Sequence, residues 1–225
     1  GKHMRRVGFD QVHTSAPAVL DDGRVVYTRW DYNDRGQVFT QPLFQMNADG
    51  TGQTEFYGNN SWFPTAIQFA RGIPGTQKVV AILPGHHTRR AGKLAIIDPT
   101  RGRQEASGVQ LISPMRKTEP ARMDRYGQKG ELFRHPYALS EKHFIVGYSP
   151  NGWREKPGFG LYFFTSGGKR ELLAWDDSIP CSQPVPLVRR KTPQQRASTV
   201  DYRKSTGVYA MQNVYAGPGL KGVKP

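Results

Sequence analysis

A single cysteine in 225 residues leaves this chain without an intrachain disulfide and without a cysteine-built zinc site. Cys181 is followed by Ser182 and Gln183, so the Cys-x-x-Cys-His sequence that attaches a c-type haem is absent as well. Acidic residues are scarce: 18 Asp and Glu stand against 32 Lys and Arg, for a formal charge of +14. No apolar run approaches the roughly 20 residues that a membrane-spanning helix needs. The amino terminus has no apolar signal-peptide core. Long stretches with apolar residues at i, i+3, i+4 and i+7 are also missing, which argues against a helical bundle. No phosphate-cradling glycine loop is legible, and no nucleophile stands beside a base.

What is present is a repeated layout. Pro17 opens Ala18-Val19-Leu20, followed by an Asp21-Asp22-Gly23 turn and the run Val25-Val26-Tyr27. Leu43 to Met46, a turn at Asn47 to Gly50 and a run from Gln53 to Tyr57 complete the unit. Short β-branched and aromatic runs separated by Asp-Gly turns signal consecutive antiparallel hairpins. The order recurs from Pro64, through Val79–Leu83, Leu94–Ile97 and Val109–Ile112, and again from Pro136, through Phe144–Val146, Leu161–Phe164 and Glu171–Leu173. Pro184 begins a fourth unit, with a further strand expected near 207–211. Four strands in about 45 residues is the size of one β-propeller blade. The expectation is therefore an all-β chain, residues 1–225, forming one β-propeller domain or part of one. Its four-stranded antiparallel blades would number about three and a half to four and a half. The units run at about 13–60, 61–112, 132–180 and 181–217, with a polar insert at 113–131. Because no closing strand is evident, the ring is expected to be completed by another segment.

Candidate site residues come from loops and from positions ahead of each inner strand. Aligning the units on their prolines puts His13 to Ala16, Trp62-Phe63, Arg134-His135 and Ser182-Gln183 at comparable places. His13, His135 and Gln183 are thereby candidates for a ligand in a central channel. The loop beginning Arg29-Trp30-Asp31 combines an aromatic face with ionic groups. It can bind a ligand or satisfy itself through an Arg–Asp pair, and the latter reading ranks first. Adjacent His86 and His87 share one metal only if they lie in a loop, and no third ligand is near in sequence, so a metal role ranks below a structural one. No metal or cofactor is expected. Basic residues fall in separate loop clusters without a recognition helix or stacking platform, which ranks a solvated basic surface above nucleic-acid binding.

The segments Leu20-Asp21-Asp22-Gly23-Arg24-Val25-Val26-Tyr27-Thr28-Arg29-Trp30-Asp31-Tyr32, Met46-Asn47-Ala48-Asp49-Gly50-Thr51-Gly52-Gln53 and Phe56-Tyr57-Gly58-Asn59-Asn60-Ser61 carry a resemblance. They are similar to the propeller domain of the hydrazine synthase alpha subunit-like family and, more distantly, to the WD40-like Tol-type periplasmic propellers. The resemblance implies an exported, periplasmic bacterial propeller within a longer chain that can include cytochrome c domains. Hydrazine synthesis itself depends on covalently bound haem, and the attachment sequence is missing here, so that activity is not expected.

Three functions compete. The first is a non-catalytic binding or docking module whose partners are other domains of a longer chain or a redox protein. The second is an enzyme with a histidine site at the propeller mouth. The third is polyanion binding through the basic loops.

Overall fold

The computed structural model describes residues 4–31, 40–59, 61–85, 87–120, 130–154, 158–208, 213, 215, 218–220, 222 and 223. The fold is all-β. Four strands, β1 (His13–Val19), β2 (Val25–Trp30), β3 (Leu43–Met46) and β4 (Thr54–Tyr57), pair antiparallel in chain order as one sheet. An eight-stranded sheet follows, and it consists of two further meanders. The first contains β5 (Gln68–Gly72), β6 (Val79–Pro84), β7 (Gly92–Ile97) and β8 (Val109–Leu111). The second contains β9 (Leu132–Ala138), β10 (His143–Ser149), β11 (Gly160–Thr165) and β12 (Arg170–Ala174). A single pair, Gly92 with Phe133, joins them through β7 and β9.

Packing explains why the central meander has an unbroken apolar run where a half-exposed strand would alternate with polar residues. In β6 the side chains of Val79, Ala81 and Leu83 enter a core shared with Val26, Leu43, Phe56 and Tyr57 of the first sheet. Val80 and Ile82 point the other way, into a second core with Phe133, Phe144, Val146, Tyr148 and Phe164 of the third meander. Side chains alternate across a strand, so a strand covered on both faces must be apolar at every position. All six residues of β6 are buried. The far face of the first sheet (Tyr27, Phe44 and Met46) is capped by Val7. Residues 5–10 form no strand; they contribute side-chain cover, and the Val7 carbonyl accepts a hydrogen bond from Gln53 Nε2 at 2.9 Å.

The strand expected to open at Pro64 begins instead at Gln68. Residues ahead of it are claimed by a polar lock. The Glu105 carboxylate accepts from the Trp62 and Phe63 backbone N–H groups at 2.7 and 3.1 Å. Ser61 donates to Gln104 Oε1 at 2.7 Å and accepts from the Glu105 N–H at 2.8 Å, while Gln104 donates to Glu55 at 2.6 Å. Ala66 then forms a parallel bridge with Gln41. With its donors engaged, the segment joins no meander ladder before Gln68.

In the fourth unit, no strand occurs among the described residues after Ala174. The expected strand at 207–211 falls largely outside the described residues. Residues 194–199 return to the first sheet without forming a strand. The Gln194 N–H donates to the Asp21 carbonyl at 2.9 Å, and the Thr199 N–H donates to Asp49 Oδ2 at 2.8 Å. Of the insert 113–131, residues 121–129 lie outside the described residues. Its start is tied down by N–H groups of Ser113 and Met115 that both donate to the Ser166 carbonyl. No helix among the described residues is long and apolar enough to cross a membrane.

Gly92 is where the second and third meanders meet, and a Cβ placed there would overlap the Leu83 carbonyl. Gly92→Ala should lower the unfolding free energy by about 2–4 kcal/mol, because backbone has to move on both sides of the junction. Urea denaturation with an unchanged slope and a lowered midpoint is the expected readout; an unshifted midpoint would contradict this packing.

Candidate functional site

Three inner strands carry the same irregularity. The ladders slip between Ser15 and Ala18 in β1 and between Gln68 and Arg71 in β5. In β9 the slip leaves His135 and Pro136 opposite the single residue Val146, between the Tyr137–Ile145 and Arg134–Gly147 pairs. Each slip contains a non-glycine residue in the left-handed region: Ala16 at φ 51°, Phe69 at 54° and His135 at 47°. A fourth, Gln183 at φ 55°, lies in the extended segment after the third meander. Such a conformation costs a non-glycine residue on the order of 1–2 kcal/mol. Bulges re-aim side chains, and β1 packs beside β5 and β5 beside β9.

These bulges enclose a cavity of about 330 Å³. Its walls are residues 16–18, 69–71, His135 and 183–184, so these four left-handed residues line it, while four others among the described residues (Arg89, Arg90, Glu105 and Ser113) lie elsewhere. Apolar surface comes from Ala16, Pro17, Phe69 and Pro184, and polar groups from Arg71, His135 and Gln183. Phe69 and His135 are in ring contact, with centroids 4.1 Å apart. The His135 Nδ1 is buried without a hydrogen-bond partner. Burial, reinforced by the positive charges of Arg134 and Arg71, holds its pKa down at about 4, so the imidazole is neutral at neutral pH. Arg71 lies over the Tyr137 ring at 5.8 Å, and Arg134 over Trp153 and Phe159 at 5.5 and 5.4 Å. Among the described residues neither arginine has a carboxylate partner.

The other candidates lie elsewhere. His13 is exposed and packs on Trp30, with ring centroids 5.4 Å apart, at the end of the β1–β2 ladder. Arg29 Nε is 2.6 Å from Asp31 Oδ2 and 3.1 Å from Asp10 Oδ1, with its guanidinium 4.7 Å over the Phe44 ring. That arrangement pairs the ionic groups locally, with Asp31 Oδ1 left buried without a hydrogen-bond partner. His87 is exposed in the turn after β6, and His86 lies outside the described residues. Thus His135 and Gln183 meet in one cavity, while His13, Arg29, Trp30 and Asp31 form a second group. Among the described residues no set of three His, Cys, Asp or Glu side chains converges as a metal site.

Sequence reasoning placed the aligned set His13 to Ala16 at the channel but missed Phe69 and Arg71 as wall residues. Three of the four left-handed residues precede a proline (Pro17, Pro136 and Pro184), but Phe69 precedes Ala70. Phe63-Pro64 supplied a decoy of the right form. The usable signal was residue order alone, with Gln68 to Gly72 directly before the Pro74-Gly75 turn.

No protein-family model matches the chain, and no curated protein sequence matches it. Among solved structures, Kuenenia stuttgartiensis hydrazine synthase is similar, with a TM-score of 0.58 and 19% identity over 76% of this chain. The likeness is one of fold. It takes in 20% of the hydrazine synthase chain, so this chain matches about a fifth of that protein's length.

The neutral His135 sets a pH dependence. Folding depresses its pKa from 6.5 to about 4, so the unfolded chain binds the proton more readily between those values. Its contribution is complete above about pH 6.5, falls as the pH drops toward 4, and changes no further below that. After discounting for partial solvent screening the loss should be on the order of 1–2 kcal/mol. His135→Gln should flatten this part of the curve of unfolding free energy against pH; an equal slope in both proteins would contradict the assignment.

Proposed function

We propose that the three meanders are blades of an incomplete β-propeller, and that the chain is a non-catalytic docking domain of a larger exported bacterial protein. Three consecutive four-stranded meanders with the same bulge in each inner strand support the propeller reading. The fold likeness to hydrazine synthase supports it as well. Docking to cytochrome c-type domains or partners, and a periplasmic location, follow from the sequence resemblance.

The observation that carries the docking role is the uneven cover of the third meander. One face is buried against the second meander through Phe144, Val146 and Phe164. On the opposite face Ile145, Leu161 and Phe163 are only half-buried, and all five residues of β12 are exposed. Leu172 and Leu173 are each 51% exposed, and Trp175 and Ile179 continue the apolar strip. A sheet edge with apolar flanks is a template for another sheet. In a propeller, that flank is where the next blade packs.

The isolated chain should therefore bind a hydrophobic dye or self-associate through this flank. Leu172→Ser combined with Leu173→Ser should reduce dye binding several-fold while leaving the melting temperature within a few degrees, since both side chains already face solvent. Fluorescence titration alongside sedimentation checks it. Equal dye binding by both proteins would remove the flank as a docking surface.

A further inference from the structure

The cavity between the bulges has an unbalanced charge. Arg71 is on its wall without an ion pair among the described residues, and no aspartate or glutamate lines it. The His135 ring and the Gln183 amide add polar groups, and Phe69 and the two prolines add apolar surface. A guanidinium on a cavity wall with no acid beside it is open to an anionic ligand. Each of the four wall segments carries a left-handed non-glycine residue, which fixes the direction of its side chains toward or away from the cavity.

We propose that this cavity binds a small organic carboxylate, with its carboxylate on Arg71 and its apolar body against Phe69 and the prolines. A guanidinium accepts a carboxylate through two parallel N–H donors. Gln183, also on the wall, supplies an adaptable donor to the same oxygen pair, and the His135 ring packs beside it. A phosphate or sulfate fits less well, because the single cation on the wall, Arg71, leaves the additional charge unpaired. The volume of about 330 Å³ falls at the small end of ligand sites and holds a carboxylate bearing one ring. Docking through β12 is a separate property, and losing it would leave carboxylate binding in place.

Benzoate is the probe, with its neutral isostere benzamide as the comparison, titrated calorimetrically into the full chain. Saturable benzoate binding at least about tenfold tighter than benzamide is expected. Arg71→Gln should remove that preference and leave weak benzamide binding unchanged, whereas Arg101→Gln, an exposed arginine outside the cavity, should change neither. Gln183→Leu, in a segment that belongs to no ladder, should weaken benzoate several-fold without affecting folding. Benzoate should also shift the imidazole resonances of His135. The proposal is overturned if benzoate does not saturate or benzamide binds equally well. An equal effect of Arg101→Gln and Arg71→Gln overturns it too, as does unchanged affinity in a folded Arg71→Gln or in Gln183→Leu.

Discussion

The burial of β6 on both faces is the constraint on which the other elements depend. With Val79, Ala81 and Leu83 turned one way and Val80 and Ile82 the other, the strand is stable only when a sheet covers each side. Exposing either face would put two or three large apolar side chains in water, each worth about 1.5–3 kcal/mol when buried. The first and third meanders are thereby held against the second, and their inner strands are brought side by side. The cavity follows from that stacking. Bulges in three neighbouring strands prevent the inner edges from closing flush, and the space they leave is walled by the residues the bulges re-aim.

Much of this order was legible in the residues. Short β-branched and aromatic runs separated by turns such as Asp22-Gly23, Pro74-Gly75 and Gly167-Gly168 marked the strands of the first three units, because run composition and turn chemistry are local properties. The five-residue apolar run at Val79 marked a strand, and the packing shows that both of its faces are covered. The misplaced start at Pro64 shows where local reading fails. Glu105 and Gln104, some 40 residues downstream, take the backbone and side-chain partners that would have been free for an earlier strand. Nothing near Pro64 announces them.

The candidate site was legible in part for a related reason. His135 and Gln183 stand before prolines and could be aligned by eye, whereas Arg71 belongs to a unit in which alanine replaces the proline. A left-handed residue is enforced by the tertiary ladder, and composition does not mark it unless glycine occupies the position. The ionic group at Arg29 was chemically conspicuous in sequence for the opposite reason: Asp31 is two residues away, close enough to pair with it at the end of β2. Prominent charged clusters that can satisfy themselves locally are poor guides to ligand sites. The isolated Arg71, without an acid nearby in sequence or space, is the more informative residue.

Three walls of the cavity belong to strands whose backbones are held by ladders on both sides of the bulge. The fourth, Gln183-Pro184, belongs to no strand, and the backbone bond from the Cys181 N–H to the Phe159 carbonyl at 2.8 Å is its nearest tether. Rigidity and variability are thus divided within one site. Substitutions or length changes in the 182–188 loop leave the strand ladders unaltered, so the size and polarity of the pocket can drift there while the three-sheet core stays fixed. Related chains sharing this core need not share a ligand, and differences in preference should trace to that one short stretch of backbone.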